Sequence, residues 1–391
     1  MKRILFVFLT IVSVTTFCFT QELKFDGYLN SGFGWWISDK DGEDTLFQIY
    51  GVDSERNIGR FRLNGAFTNE KATGGLNFRI QAQHNGTTTE SNIAAANALS
   101  LAFGYAWIKP FSMLTIKCGL VDDGTWATGD VIYADDQGEG VGILLRLTPI
   151  KGLDFGAGGY AASYNSGSHN NFLGVPTKYQ QKPDEFKYTF NAAYTMDKGF
   201  RLMLSGRLKN ETGGDSAQQT AHGLAELRIL AVPNLTAVVV GELDNLDDFS
   251  DSGKINFYET IGYKVKDLSF GLNAAQYISK MAGNDDPGLR FNPWISYAFN
   301  DGKIVPRLDA VYFFGGRSGG SSADYGKGYH RKSFTADYDK DTFVVSARPS
   351  VKFNLDSRTV LEFGDSFYYT KIKGGDAVIS NALYMDVTVR F

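Results

Sequence analysis

The sequence predicts an all-β chain that forms a transmembrane, antiparallel, up-and-down β-barrel of about eighteen strands, with sixteen as the alternative count. Three observations predict this class. Apolar and polar residues alternate over ten-odd residues at a time along the whole chain, as in strands that have two different faces. The connections between these segments alternate between short and long. Beyond the first twenty residues, no stretch holds the roughly 18 consecutive apolar residues that a membrane helix needs.

The composition agrees with a barrel that has one face in lipid and one in water. Hydrophobic residues make up 43% of the chain and the mean hydropathy is −0.20, values typical of a soluble protein. The 44 glycines against 9 prolines favour many strands and turns. No linker or low-complexity tract divides the chain, so we expect one barrel domain over residues 21–391.

Residues 1–20 have the pattern of a secretory signal peptide. Lys2 and Arg3 precede an apolar run from Ile4 to Phe19, and the chain turns polar at Gln21. The apolar run is shorter than the roughly 20 residues that span a bilayer as a helix. We therefore expect the chain to be exported and cleaved near Thr20.

Eighteen segments carry the alternating pattern, in chain order. They are residues 23–37, 58–68, 75–84, 99–108, 113–121, 141–148, 153–163, 186–196, 200–209, 221–230, 235–243, 254–265, 268–278, 289–299, 304–314, 342–353, 359–370 and 379–391.

Every second connection is short, which indicates tight turns at one end of the barrel and long loops at the other. The short ones are predicted at residues 69–70, 109–110, 150–151, 197–199, 232–234, 266–267, 300–302 and 355–356. The longer ones include residues 38–56, 122–138, 164–185 and 315–341. An even number of strands places both chain ends on the side of the short turns.

The parity of the strands separates an apolar face from a polar one. In the second segment Phe61 and Leu63 alternate with Arg60 and Arg62, and the third segment places Arg79 on the polar side. A register slip of one residue would turn such charges towards lipid, at a cost of about 2–4 kcal/mol each near the midplane. The parity therefore predicts that these arginines face the lumen.

Further basic residues with inward parity are Arg201, Arg207, Arg228, Arg307, Arg348 and Arg390. The acidic residues expected to offset them are Glu226, Asp309, Asp365 and Asp386. This mixture with a basic excess predicts a mild preference for anions at the wall. Aromatic residues near strand ends are expected to form belts at the membrane interfaces; they include Trp35, Trp36, Tyr105, Trp107, Tyr368 and Tyr369.

The last segment alternates Leu383, Met385, Val387 and Val389 with polar residues and stops on Phe391. It resembles the terminal targeting strand of barrels in the outer membrane of Gram-negative bacteria. The resemblance implies recognition of this strand by the barrel assembly machinery and a location among the lipids of the outer membrane.

By strand number, loop pattern and last strand, the mature chain resembles the bacterial porins, of either the sixteen-stranded general or the eighteen-stranded sugar- and carboxylate-selective type. The resemblance implies a water-filled channel for passive diffusion of small polar solutes and ions, and a homotrimer. In these families the third long loop folds into the lumen opposite basic wall residues. Here that loop is residues 122–138, which include Asp130, Asp135 and Asp136 and contain no Lys or Arg.

An acidic loop opposite Arg60, Arg62 and Arg79 would make a transverse field that favours polar over apolar solutes. The alternative is a solvated acidic loop outside the membrane that holds a divalent cation. The loop also lacks the signature of general porins, since it reads Gly124 to Gly129 as GTWATG.

No pattern for catalysis, cofactors or a resident metal emerges. The four histidines are far apart, and we expect His222 to line the lumen as a polar residue. Cys118 has lipid-facing parity, and a net charge of −4 disfavours nucleic-acid binding. The competing function is a non-conducting surface adhesin or structural barrel that acts through long loops such as residues 315–341. A barrel of this size is too wide for its own side chains to fill, which favours the pore.

Overall fold

The structure is a computed structural model. It describes residues 22–38, 45–49, 52–53, 56–85, 100–122, 139–161, 186–210, 219–279, 288–314, 323–325, 332–334, 343–371 and 374–391. The expected signal peptide and most of the loop residues lie outside these ranges.

Twenty-two strands are described, nearly all antiparallel to their neighbours in the chain. Their bounds are β1 Glu22–Ser38, β2 Thr45–Ile49, β3 Val52–Asp53, β4 Arg56–Thr68, β5 Gly74–Asn85, β6 Ser100–Phe111, β7 Leu114–Asp122, β8 Glu139–Ile150, β9 Leu153–Ala161, β10 Phe186–Thr195, β11 Phe200–Asn210, β12 Gln219–Ile229, β13 Leu235–Asp244, β14 Lys254–Val265, β15 Leu268–Ser279, β16 Gly288–Tyr297, β17 Ile304–Phe314, β18 Ala323–Tyr325, β19 Lys332–Phe334, β20 Phe343–Asn354, β21 Thr359–Lys371 and β22 Ala377–Arg390.

Eighteen of these strands form a closed barrel, which confirms the larger of the two predicted counts. Each barrel strand pairs with the next one along the chain, and β1 pairs with β22 from Tyr28–Arg390 to Ser38–Ser380, which closes the cylinder. The short strands β2 and β3 extend β1 and β4, and β18 and β19 form a separate hairpin. A short helix, α1 at Phe249–Ser252, follows a single 3₁₀ turn in the connection after β13. Among the described residues, no helix is long and apolar enough to cross a membrane.

The short connections lie together at one end of the barrel, which we call the turn end, and the long ones at the other, the loop end. At residues 69–74 the Asn69 side chain accepts hydrogen bonds from the backbone N–H of Thr73 at 2.8 Å and of Gly74 at 3.3 Å. The turn predicted at residues 109–110 lies instead at residues 112–113, because β6 continues through Pro110 across a register shift after Ile108. A strand end with an irregular ladder tolerates the missing N–H of a proline.

The outer face of the wall is apolar, as predicted. Phe190, Leu204 and Ile261 are 60%, 54% and 53% exposed, although they lie in the middle of long strands. Cys118 is on this face too, as its parity predicted. Since large apolar side chains exposed in such a continuous band are typical of a lipid-facing surface, the barrel is built to span a bilayer.

Candidate functional site

The inner wall carries the polar side chains, and part of it is a hydrogen-bonded network on β1, β4 and β5. Arg79 donates through Nε to Asn64 Oδ1 at 2.8 Å, and Asn64 donates to Asp26 Oδ1 at 2.5 Å. One step towards the loop end, Arg62 Nε donates to Gln81 Oε1 at 3.3 Å. Hydrogen bonds of this kind, donated by a charged group, hold the guanidinium groups against the wall in a fixed orientation.

Two of the predicted constriction arginines, Arg62 and Arg79, therefore lie next to each other on adjacent strands of the inner wall. The backbone of Arg60 pairs with Asn30 and Gln83, in the same parity as Arg62. The side chain of Arg60 is outside what the structure describes. Asp130, Asp135 and Asp136 also lie outside the described residues, so the predicted opposition of an acidic loop and a basic wall stays a prediction.

Beside this network β6 presents a column of aromatic rings to the lumen. The Arg79 guanidinium carbon is 4.7 Å from the centre of the Phe103 ring, and Lys117 Nζ is 5.1 Å from that of Tyr105. Phe103 and Trp107 pack against a buried cluster of Tyr105, Val121 and Leu144, in which Tyr105 is 9% exposed. The prediction that Tyr105 and Trp107 form an interface belt is wrong: both face inwards, where cations cover the ring faces.

A second group of charges lies on β11 and β12 at the turn end. The Glu226 carboxylate is fully buried, with Oε1 at 3.6 Å from Arg201 Nη1 and 3.4 Å from Arg228 Nε. Arg207, higher on β11, is buried and lies opposite His222 in the ladder. Arg201, Arg207 and His222 thus share the inner side of the wall with Glu226, and their lining of a pore stays a prediction.

His222 adjoins a buried carboxylate that the sequence did not single out. Its Nε2 is 3.0 Å from Glu242 Oε1, while Asn256 and Tyr258 donate to Glu242 Oε2 at 3.0 and 2.9 Å. Three polar groups from the two neighbouring strands, β12 and β14, therefore hold one carboxylate. The cluster places an imidazole and a phenol within hydrogen-bond reach of one carboxylate on the inner wall.

A bidentate pair lies on β17, beside Trp294 of the neighbouring strand β16. Arg307 donates through Nε and Nη2 to the two oxygens of Asp309, at 2.6 and 2.7 Å. Its guanidinium carbon also lies 4.6 Å from the centre of the Trp294 ring. The side chain of Arg307 is 29% exposed and that of Asp309 only 4%, so the cation is the more accessible partner.

The same order of charges recurs on β20 and β21. Lys352 Nζ is 3.3 Å from Glu362 Oε2, with side-chain exposures of 43% for the lysine and 7% for the glutamate. On β8 and β9, Arg146 is 48% exposed and its partner Asp154 20%, with 2.9 Å between Nη2 and Oδ2. In each pair the base is more accessible than the acid. The surface charge of the inner wall is consequently more positive than a count of residues indicates.

The inner wall of β10 to β15 also carries an apolar patch among these charged groups. Its buried members are Ala193, Met203, Leu224, Val238, Val240, Tyr258 and Ala275. Met203 and Val240 are fully buried. These apolar side chains alternate with inner-wall polar groups of the same strands, such as Glu226 and Glu242.

Two expected lumen or belt positions differ from the prediction. Asp365 lies on the outer face, because its neighbour Ser366 is buried inside at 1% exposure while Phe363 and Phe367 are exposed outside. Tyr368 is 3% exposed and faces inwards, whereas Tyr369 packs against Phe343 with ring centres 5.8 Å apart. Polarity alone had suggested the inward assignment of Asp365.

Among the residues the structure describes, no group of histidine, cysteine and carboxylate side chains is placed to hold a metal ion. The arrangement can instead order water and counter-ions along a wall with basic groups facing the lumen and acidic groups behind them.

Comparison with known proteins identifies solved structures that share this architecture over almost their full length. OccAB4 from Acinetobacter baumannii is 12% identical, with a TM-score of 0.56 over 95% of this chain and 98% of that one. OccK8 (OprE) from Pseudomonas aeruginosa is 10% identical, with a TM-score of 0.56 over the same shares. The outer-membrane protein opdK from the same species is 10% identical, with a TM-score of 0.54 over 95% and 99%. No protein-family model and no curated protein sequence matches the chain.

At these identities the likeness concerns the fold, and it agrees with the apolar belt and with the expected location in an outer membrane. The chain has the eighteen-stranded barrel fold of the outer-membrane porins.

Proposed function

We propose that the protein is an outer-membrane channel for passive diffusion of small polar solutes and ions, with a preference for anions. The observation that carries this proposal is the order of charges on the inner wall. Arg146, Arg307 and Lys352 are each more exposed to the lumen than the carboxylate that they pair with. An anion passing along the wall meets the base first, and the base remains oriented by the acid behind it.

The narrowest part of the path is proposed to lie beside Arg62 and Arg79. Their guanidinium groups are fixed by Gln81 and Asn64, and the apolar patch of β10 to β15 occupies another arc of the interior. Asp130, Asp135 and Asp136 on the third long loop would complete a transverse field if that loop folds inwards.

The test is single-channel recording of the refolded protein in a planar bilayer, with the reversal potential measured under a salt gradient. We expect discrete conductance steps and an anion-selective sign. Arg62→Gln with Arg79→Gln should shift the reversal potential towards cation selectivity. Lys151→Gln, which removes a positive charge from an exposed turn, is the matched control and should leave it unchanged. Neutralising Asp130, Asp135 and Asp136 together should increase anion selectivity; an unchanged value would place the loop outside the path.

One observation favours a second candidate function, a non-conducting barrel that acts through its long loops as an adhesin or structural protein. Inner-wall side chains such as Glu226, Asn292 and Met203 are fully buried, so the interior is more filled than a bare cylinder of eighteen strands. A folded, heat-modifiable barrel that gives no conductance steps would select this alternative. Binding of its loops to cells or to a neighbouring protein would then be the activity to measure. Neither reading assigns an enzymatic reaction.

We infer that the barrel assembly machinery recognises the last strand. Phe391 exchanges two backbone hydrogen bonds with Gly27, both 3.0 Å long, and its ring stacks on Phe61 at 6.2 Å. The terminal residue therefore lies at the seam between β1 and β22, where the barrel must close.

A further inference from the structure

Arg201 on β11 and Arg228 on β12 lie directly opposite each other on the inner side of the wall. Each is one residue from the turn end of its strand. Like charges that face each other across a ladder repel and destabilise the sheet. Two arginines in this position therefore need a group of opposite charge between them.

The carboxylate of Glu226 is one such group. Its Oε1 is 3.6 Å from Arg201 Nη1 and 3.4 Å from Arg228 Nε, so both guanidinium groups converge on one oxygen atom. Arg201 Nη2 also donates to Met203 Sδ at 3.7 Å, which holds that guanidinium group at a second point. The two cations are thus fixed side by side.

One carboxylate neutralises only one of the two cations, so this group of three side chains keeps one excess positive charge. The side chains of Arg201 and Arg228 are 26% and 19% exposed, whereas that of Glu226 has no exposed surface. Because Arg228 turns its Nε towards the carboxylate, its two Nη groups lie beyond that contact. A dissolved ion that reaches this part of the wall therefore meets the two bases and not the acid behind them.

We propose that Arg201 and Arg228 form a binding site for tetrahedral dianions, that is, for inorganic phosphate and the phosphoryl groups of small phosphomonoesters. A guanidinium group offers a planar pair of N–H donors that matches two oxygen atoms. A carboxylate has two oxygens and satisfies one such pair, whereas a phosphoryl group has at least three and can contact both arginines at once. A bridging dianion also removes the repulsion between the two cations.

The buried carboxylate keeps the site weak. Glu226 subtracts one charge at its centre, so a dianion is attracted by one excess positive charge instead of two. A channel needs sites that a solute enters readily and also leaves. The inference deepens the proposed function by naming a class of solute and rests on it for transport, whereas binding can be measured in a barrel that does not conduct.

The first test is the binding of inorganic phosphate to the refolded barrel in octyl glucoside at pH 8, measured by the ³¹P NMR line width. We expect saturable broadening, which sulfate reverses and which equal concentrations of succinate or acetate reverse far less. Succinate carries two negative charges without a tetrahedral group, so equal competition by succinate would overturn the assigned class of solute. An absence of saturable broadening would overturn the site.

The second test changes the charge at the centre of the site. Glu226→Gln keeps the shape of the side chain and should tighten phosphate binding about tenfold, the effect of a unit charge about 6 Å from a dianion in a water-like dielectric. Arg201→Gln with Arg228→Gln, made in the Glu226→Gln background so that all three charges are removed together, should abolish the binding. An unchanged affinity in Glu226→Gln, or binding that persists in the triple variant, would refute the proposal.

Two further variants separate paired hydrogen bonds from simple attraction between charges. Arg201→Lys with Arg228→Lys keeps both charges but not the planar donor pairs, so it should weaken phosphate binding several-fold; an unchanged affinity would contradict the site as described. Lys198→Gln is the matched control, because Lys198 is an exposed base in the turn that precedes Arg201, and it should leave the affinity unchanged. All variants are compared only where they keep the heat-modifiable mobility of a folded barrel.

Single-channel recording of the same protein tells the failure of this inference from the failure of the proposed function. Phosphate binding without conductance steps would contradict the channel and support the site. Conductance steps without phosphate binding would contradict the site alone.

Discussion

Placing an arginine at residue 204 or at residue 205 tests the assignment of the two faces of the wall. Leu204 lies four residues from the turn end of β11 and is 54% exposed on the outer face, whereas Ser205 lies opposite Asn191 and Leu224 inside. Four residues of a strand tilted by about 40° rise roughly 10 Å, which places Leu204 close to the middle of the apolar band. Leu204→Arg should therefore lower the free energy of unfolding by about 2–4 kcal/mol.

Ser205→Arg is the matched control because its side chain reaches other polar wall groups instead of lipid. Its loss of stability should be less than half of the loss in Leu204→Arg. The measurement is reversible urea unfolding in phospholipid vesicles, followed by tryptophan fluorescence. Equal losses, or a larger loss for Ser205→Arg, would refute the assigned parity and with it the lumen-facing positions of Arg201 and Arg207 on the same strand.

Three further predictions concern a glycine in β7, the seam and one turn. Gly119 has φ +134° and a Cβ there would lie 2.6 Å from the carbonyl oxygen of Gly104, so Gly119→Ala should cost at least about 1 kcal/mol in the same unfolding assay. The control Gly241→Ala meets only the Phe257 ring at 3.5 Å and should change stability far less. Deleting Phe391 should slow the appearance of the heat-modifiable form in refolding, and an unchanged rate would contradict its role at the seam. Backbone N–H groups of Arg358 and Thr359 hold the pKa of the exposed Asp356 carboxyl below its usual 3.8. The carboxylate therefore stabilises the turn above that pH, and this stabilisation is lost as the pH falls through the lowered pKa. Asp356→Ala should have a lower free energy of unfolding than the wild type at pH 6, and the two values should converge in acid. A difference in unfolding free energy that is independent of pH would count against this account.

The strands were predictable because alternation and turn residues are local signals. The parity of Arg62, Arg79, Arg201 and Arg207 followed from the apolar residues on either side of each arginine. The polarity of Asp365 gave the wrong face. Along β21 the side chains alternate between the two faces, so the buried Ser366 next to it and the exposed Phe363 and Phe367 on either side place Asp365 outside.

The cross-strand groups could not be derived from the sequence, since they depend on registers between strands. The aromatic column of β6 requires Arg79 on β5 and Lys117 on β7 to reach the Phe103 and Tyr105 rings. Glu242 is held by His222 on one neighbouring strand and by Asn256 and Tyr258 on the other. The sequence shows which residue types each strand carries. It does not show which residues of neighbouring strands lie side by side.

The pairing of β1 with β22 has a consequence for the order in which the barrel forms. Every other neighbouring pair of barrel strands is adjacent in the chain, whereas Tyr28 and Arg390 come from opposite ends of the sequence. Chain-entropy arguments make the closing of such a loop about 3 kcal/mol more costly than the closing of a ten-residue hairpin. The hairpins are therefore expected to form early as an open, curved sheet with two unpaired edges, and the joining of those edges is the slow and exposed step. The fraction of chains that close into a complete barrel is then expected to depend on the time spent as an open sheet. The strength of any single contact matters less.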